Sequence, residues 1–523
     1  MTDFRRRHFL KQAGYGSAAL AAAGLLPGIF RTEARAQEKR PNILFAISDD
    51  QSWPHTGAYG TGGVNTPAFD RVASEGVLFE NAFCAAPQCS PNRAAILTGR
   101  NIWQLEEAGT HASNFPKKWQ VYPDLLEESG YEIGYTGKSW GPGNWRYNGW
   151  TRNPAGIGYN EISYDDEEEL RDGIRNLNYA ANFRQFFDQR DTSKPFYFWY
   201  GASEPHRSYE QGSGLEAGKE LSDAEVPGFL PDKDEIRSDI LDYYMEIEWF
   251  DDHLARMLAV IEEAGELENT IVIVTSDNGM PFPRAKANLY EYGTHMPLAI
   301  MWKDRVPGGR VVSDLTSSID YCPTFLELAG VDIPQQVTGK SLLPTLLSEK
   351  EGLVDNSRTY TINGRERHTH ARPDNLAYPA RAIRTENLLY IHNIKPDRWP
   401  AGNPDGSGEP PFYHDIDNCP SKTYMLEHKN DPDVQHLFHL GFEKRPEHEL
   451  YDIKKDPACL NNLADLPRYK NDREELAAKL KLLLEQQNDP RAFGYEVFES
   501  YPRYSRMRDF PGFKEQGEYN FDF

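Results

Sequence analysis

Short unbroken apolar runs alternate along this chain with stretches of helical period, the pattern of strands buried on both faces between amphipathic helices. The clearest run is Asn42-Ile43-Leu44-Phe45-Ala46-Ile47-Ser48. Others lie at Val77-Leu78-Phe79, Glu132 to Thr136, Pro195 to Tyr200, Thr270 to Thr275, Leu298 to Trp302 and near Thr359 to Ile362. A helix is predicted from Pro67, with Phe69, Val72 and Ala73 on one face and proline at the first helical position. Tyr122 to Glu128, Asp234 to Ala264 and Tyr321 to Ala329 also read as helices. In the longest, Ile240, Tyr244, Ile247 and Trp249 recur near helical period. Residues 143–190 are polar and rich in Asn, Asp and Gly, which predicts a long surface excursion.

Strand–helix alternation from 42 to 362 predicts a large, doubly wound α/β domain. Beyond it the pattern changes. Two strand-like runs (Tyr378 to Arg384 and Leu388 to Asn393), many Pro/Gly/Asp turns and one helix (Glu474 to Gln487) predict a smaller α+β domain. The chain has 523 residues, too many for one compact core, and is divided here into 37–373 and 374–523. Its 39% apolar and 12% aromatic content is that of a globular chain, not a disordered one.

The first 36 residues stand apart from the fold. Arg5-Arg6-Arg7-His8-Phe9-Leu10-Lys11 resembles a twin-arginine export signal. The apolar segment from Ala18 to Leu26 is too short for a stable membrane anchor, and Ala34-Arg35-Ala36 is a small-residue cleavage site. The expected location is periplasmic or secreted, with a mature chain from Gln37. The net charge of −23 becomes −27 without that segment, which carries six basic and two acidic side chains. Such a chain repels nucleic acid and anionic membranes, so an anionic substrate requires a local basic pocket. The five cysteines, Cys84, Cys89, Cys322, Cys419 and Cys459, make no dense disulfide framework, although a Cys419–Cys459 bridge is conceivable. Sparse cysteine also suits a protein folded in a reducing compartment before export.

Polar residues follow several strands at the edge where open α/β sheets place their ligands. Asp49-Asp50 follows the first strand, Gly137-Lys138-Ser139-Trp140 the third, and Glu204-Pro205-His206-Arg207 the fourth. Taken singly, each also fits a solvated turn. Asn278-Gly279 is a strong hairpin signal, but the following Met280-Pro281-Phe282-Pro283 cannot form a returning ladder strand, which favours a ligand loop. Asp49, Asp50, Asp277 and Asn278 offer only oxygen donors, a set suited to Ca²⁺ or Mg²⁺ rather than zinc.

Cys89-Ser90-Pro91-Asn92-Arg93 opens a predicted helix that ends at Gly99. Cys89 then sits at the helix N-terminus, where free N–H groups favour an anion, and Arg93 one turn on points back towards it. A reactive or a structural cysteine would explain this equally well. The spacing Cys-x-Pro-x-Arg followed by Leu97-Thr98-Gly99-Arg100, however, resembles the signature of the type I, formylglycine-dependent sulfatases of the alkaline phosphatase superfamily. Asn92 stands where serine is commonest. The segments Ser276 to Pro283, Asn288-Leu289-Tyr290 and Glu204 to Arg207 bring the chain nearest to the heparan N-sulfatase (sulfamidase)-like branch.

This resemblance implies an alkaline phosphatase-like fold and a nucleophile made from Cys89. On the same resemblance, a formylglycine-generating enzyme would oxidise that cysteine to 3-oxoalanine, whose hydrate attacks sulfur. One Ca²⁺ would be held by Asp49, Asp50, Asp277, Asn278 and the modified Cys89. Arg93, Lys138, His206 and Lys286 would surround the sulfate of a sulfated oligo- or polysaccharide. The family commonly has Gly-Lys-x-His where this chain has Gly137-Lys138-Ser139-Trp140, so Trp140 replaces a histidine that contacts the nucleophile. The base for hydrate breakdown is thereby left unassigned.

Gly364 to Arg372 packs three arginines and two histidines into nine residues of an otherwise acidic chain. With Trp140, the side chains Arg365, Arg367, His368 and His370 form the expected subsite for a second anionic group, since arginine binds carboxylate or sulfate in bidentate fashion. An ordinary solvated loop is the alternative. Two other functions stay open: a formylglycine-dependent phosphodiesterase or phosphonate monoester hydrolase, and a non-catalytic glycan-binding homologue.

Overall fold

The protein is described by a computed structural model covering residues 40–164, 170–405 and 412–503. The export signal predicted over 1–36 lies outside the described residues. Seven strands form the principal sheet: β1 (Asn42–Ser48), β2 (Val77–Phe79), β3 (Glu132–Gly137), β4 (Phe196–Gly201), β5 (Thr270–Ser276), β6 (Leu298–Met301) and β7 (Arg310–Val312). Their order is β3-β4-β1-β5-β6-β2-β7. The first four of these are mutually parallel, whereas β6 runs antiparallel to both β5 and β2. The sheet is therefore mixed.

Continuous apolar strands are explained by burial on two faces. Ile43, Phe45 and Ile47 of β1 pack into one core layer with Tyr197, Trp199, Ile271 and Ile273. Leu44 and Ala46 pack into the other with Phe198, Tyr200, Val272 and Val274. The period-2 alternation thus separates two apolar sets, not apolar from polar. The first layer is covered by α2 (Cys89–Thr98), α3 (Tyr122–Glu128) and α6 (Tyr321–Ala329). The second is covered by α1 (Pro67–Glu75), α4 (Tyr179–Gln189) and α5 (Asp234–Glu263). The doubly wound arrangement predicted for this region is observed.

Helix α4 corrects the prediction of a long surface excursion over 143–190. Tyr179, Phe183, Phe186 and Phe187 recur at helical spacing and are buried against β4. The polar residues between them mask that period in a composition count. Trp150 and Ala155 are also buried, in the other layer.

A four-stranded antiparallel sheet follows: β8 (Tyr360–Arg365), β9 (Ala380–Thr385), β10 (Leu388–Asn393) and β11 (His448–Asp452), in that order. The strand expected near Thr359 to Ile362 thus belongs to this second sheet. Its pairing with β9, Tyr360 opposite Thr385 through Arg365 opposite Ala380, crosses the division drawn at 373/374. Helix α7 (Lys470–Gln486) packs on the second sheet, burying Leu476, Leu480 and Leu484. The described residues form one compact unit. All five cysteines are buried and free, so the conceivable Cys419–Cys459 bridge is not formed.

Candidate active site

Four parallel strands end side by side, and the candidate residues follow them. Asp49 and Asp50 leave β1, Lys138 leaves β3, and Asp277 and Asn278 leave β5. Asp50 takes a left-handed backbone, φ 74°, a conformation aspartate tolerates better than most residues. Its N–H donates to Asp277 Oδ1 at 3.1 Å, which ties the two strand ends together.

Helix α2 enters from the first core layer with all ten residues buried. Its first residue is Cys89, and Gly99 closes it in the left-handed conformation expected of a C-cap, φ 65°. The Cys89 thiol lies 3.3 Å from Asp49 Oδ1 and 3.9 Å from Asp50 Oδ1. One turn later, Arg93 Nε donates to Asp277 Oδ2 at 2.7 Å and Nη1 to the Lys138 carbonyl at 2.6 Å. Asn92, the departure from the commonest signature residue, has a defined task. Its Nδ2 donates to the Asp277 carbonyl, while its Oδ1 accepts from Ala85 N and Ser318 Oγ. The helix thus holds the β5 end from two adjacent positions.

The cationic side chains pair with the carboxylates. Lys138 Nζ contacts Asp49 Oδ2, and Lys286 Nζ lies 2.6 Å from Asp50 Oδ2 and 3.1 Å from Asp417 Oδ2. His206 Nε2 is 3.9 Å from Asp50 Oδ2, with Nδ1 against the Arg207 carbonyl. All nine residues expected in the catalytic and metal sets therefore converge on one cluster. One donor atom each from Asp49, Asp50, Cys89 and Asp277 lie within 4.8 Å of one another.

The electrostatics show what such a cluster demands. Burial and the neighbouring Asp49 carboxylate push Asp277 up to about 7. Burial pushes Asp49 up as well, but Lys138, His206, Arg93 and Lys286 outweigh it and hold Asp49 well below the usual range. Asp49 and Asp277 thus oppose each other's ionisation, and further positive charge between them would favour both carboxylates. Burial, reinforced by Asp49, also raises the Cys89 thiol well above its ordinary range. As a thiol, Cys89 is a poor nucleophile here.

The donor set fits a hard cation. Three carboxylates converge, and Asn278 Oδ1 is buried without a hydrogen-bond partner, while its Nδ2 donates to Asp50 Oδ1 at 2.6 Å. Carboxylate and amide oxygens are the usual ligands of Ca²⁺.

Trp140 is buried beneath this cluster, its Nε1 donating to the Ser90 carbonyl at 3.1 Å and its ring edge-on to Phe115. It braces the first turn of α2 and carries no titratable group.

The arginines expected to form an anionic subsite do not do so. Arg365 and Arg367 are 1% and 0% exposed. Arg365 Nη2 donates to Asp415 Oδ2 at 2.8 Å, and Arg372 Nη2 donates to the same oxygen at 2.5 Å. Arg367 donates to the carbonyls of Tyr501 and Pro502. His370 is fully buried too. Arg365 and Arg372 are neutralised by Asp415, remote in sequence, and Arg365 itself lies on β8 of the second sheet. His368 is buried as well, its Nδ1 3.6 Å from Asp415 Oδ1 and its ring 4.7 Å from that of His111.

Sequence reasoning missed Asp417, Asp415 and His111. Asp415 and Asp417 lie in an aperiodic, turn-rich segment whose partners are far away in sequence. His111 is placed by its backbone, with its N–H donating to the Arg367 carbonyl and the next N–H, of Ala112, to Ser90 Oγ.

Gly201 illustrates how closely the backbone supports this site. A Cβ there would overlap the Lys138 carbonyl, which also accepts from Arg93 and Trp199. Gly201→Ala is expected to cost about 1–3 kcal/mol of stability by overpacking. It should also lower kcat at least tenfold through displaced Lys138, measurable by thermal unfolding alongside turnover.

Residues 41–331 match the protein-family model described as Sulfatase, more than half of the chain. The chain belongs to the sulfatase family. It is accordingly a hydrolase of sulfate esters or N-sulfates. Residues 284–399 also match the model described as N-sulphoglucosamine sulphohydrolase, C-terminal, which bears out the likeness to the N-sulfatase branch. Human N-sulphoglucosamine sulphohydrolase is 28% identical over 514 residues, covering 90% of this chain and 94% of the relative. An N-acetylglucosamine-6-O-sulfatase from Bacteroides thetaiotaomicron is 25% identical, covering 87% and 88% respectively. Among solved structures, one in complex with its substrate D-glucosamine-2-N,6-O-disulfate superposes with a TM-score of 0.63 at 21% identity. It covers 88% of this chain and 100% of that one, and shares the alkaline phosphatase-like fold.

Proposed function

We propose that this sulfatase releases inorganic sulfate from a sulfated glycan, using an aldehyde derived from Cys89 and one Ca²⁺. The observation that carries the reading is the convergence of Cys89 with Asp49, Asp50 and Asp277 among Arg93, Lys138 and Lys286. Asp49, Asp50, Asp277, Asn278 and the modified Cys89 would hold the cation. When present, the aldehyde hydrate supplies an oxygen nucleophile and the calcium supplies positive charge beside it.

The remaining chemistry belongs to the chain's own side chains. Fully ionised, the four carboxylates (Asp49, Asp50, Asp277, Asp417) outnumber the three cations they face (Arg93, Lys138, Lys286) by one charge. A dication reverses that to one positive charge, matched to a monoanionic sulfate ester. Lys138 and Lys286 are positioned to stabilise charge on the equatorial oxygens, and Arg93 orients Asp277. His206 is the exposed imidazole of the cluster, 38% accessible, and is suited to protonating the leaving group. Trp140 cannot take the proton role of the histidine it replaces.

The names of the relatives support a glycan substrate: N-sulfoglucosamine, N-acetylglucosamine 6-sulfate and, for a Formosa agariphila relative 26% identical, ulvan. Twin-arginine export followed by cleavage after Ala36 would leave the enzyme periplasmic or secreted, and no described helix is long and apolar enough to cross a membrane. Parallel assays with an aryl sulfate and an aryl phosphodiester test the reaction class. Sulfate ester turnover should dominate; preferential phosphodiester cleavage would refute it.

Chelation should abolish activity, and Ca²⁺ should restore it better than Zn²⁺, because the donors are hard oxygens. Restoration by zinc alone would show that the donor set had been misread.

A further inference from the structure

Strands β10 and β11 of the second sheet place His392 directly opposite His448. Glu447 precedes His448, and its carbonyl is pinned by the Asn393 N–H at 2.8 Å. Both imidazoles aim their Nε2 atoms at one carboxylate oxygen: His392 Nε2 is 3.5 Å and His448 Nε2 3.7 Å from Glu447 Oε1. The two rings stack at 5.5 Å. On the far side of His448, Nδ1 lies 2.8 Å from Tyr390 Oη. With the proton on Nδ1 and donated to that oxygen, the Nε2 lone pair faces Glu447.

From this geometry we infer a second metal site, for Zn²⁺ or a similar borderline transition-metal ion, held by His392, His448 and Glu447. Bond lengths of about 2.0–2.1 Å at tetrahedral angles put donor atoms about 3.3 Å apart; the two nitrogen–oxygen separations exceed this by only a few tenths of an ångström, and the three donor atoms lie within 4.8 Å of one another. Two imidazoles and one carboxylate are a zinc-type donor set, distinct from the hard oxygens of the catalytic cluster. A hydrogen bond fixing the remote ring nitrogen is the usual support of a metal-binding histidine, here supplied by Tyr390. The donors form part of the wall of a cavity of about 360 Å³ that also includes Leu480 and Leu484 of α7. Water or a ligand carboxylate can complete the coordination shell from there. Such an ion would cross-link β10 to β11 and stabilise the second sheet.

The test is zinc titration of the full chain in saturating Ca²⁺, by calorimetry, with thermal unfolding in parallel. The wild type should take up one more zinc per chain than His392→Ala/His448→Ala, and zinc should raise its Tm but not that of the double variant. Glu447→Gln should bind that zinc at least tenfold more weakly. Aryl sulfate turnover without zinc should be equal in all three, showing that the variants are folded. Equal zinc uptake by wild type and double variant would overturn the site, and undiminished affinity in Glu447→Gln would overturn the three-donor assignment.

Discussion

Cys89→Ala is expected to lower sulfate ester turnover by at least about 10⁴-fold, the scale on which removal of a catalytic nucleophile acts. It should leave the fold intact. The side chain is small, and the contacts that lock α2 to the strand ends come from Asn92 and Arg93, not from Cys89. Calcium binding should weaken but persist, since three carboxylates and Asn278 remain and Ca²⁺ takes six to eight oxygens from several sources. Cys89→Ser should be inactive in turnover as well. A serine can present an oxygen, but with a single hydroxyl on its carbon it cannot collapse to an aldehyde and expel sulfate. Initial-rate kinetics together with circular dichroism distinguish this from unfolding. Substantial turnover by either purified variant would sink the nucleophile assignment.

The second large effect is on stability. Asp415→Ala should lower the unfolding free energy by about 3–5 kcal/mol, the cost of leaving buried charge unpaired. Asp415 is 3% exposed and accepts from Arg365, Arg372, the Thr369 N–H and the Thr369 hydroxyl. Burial raises its carboxyl, but Arg372, His368 and Arg365 outweigh that and hold it well below the usual range. It is ionised across the working pH range, and its loss strands two guanidiniums in the interior. Shifted denaturation midpoints in urea would measure the effect. An unchanged midpoint would mean that the arginines reach solvent, which would revive the subsite they were expected to form. For the same reason, Arg367→Ala should not discriminate a glycan from a small aryl sulfate. Its guanidinium serves the carbonyls of Tyr501 and Pro502, so any loss should be shared by both substrates.

What the sequence conveyed about this molecule followed from the range of the interactions involved. The β1 strand and its Asp49-Asp50 end, helix α2 and the loop after β5 are each specified by neighbouring residues. Local pattern therefore located them, and the doubly wound topology then brought their ends together. The partners of Lys286 and Arg365 are a different case. Asp417 lies more than a hundred residues from Lys286, and Asp415 fifty from Arg365, in a segment with no regular period. A run of arginines looks the same in sequence whether its counter-ions are substrate or protein. Helix α4 was hidden for another reason: its aromatic stripe is diluted by polar residues on the solvent side, and amphipathicity is lost when composition alone is weighed.

The central claim is that oxidation of Cys89 confers the activity. It is tested most directly by preparing the chain with and without a formylglycine-generating enzyme, determining the modified fraction at Cys89 by peptide mass spectrometry, and measuring sulfate release in saturating Ca²⁺ by ion chromatography. Sulfate release should rise in proportion to the modified fraction and vanish in the unmodified chain. Release by unmodified protein, or none by fully modified protein on sulfated glycan and aryl sulfate alike, would contradict it.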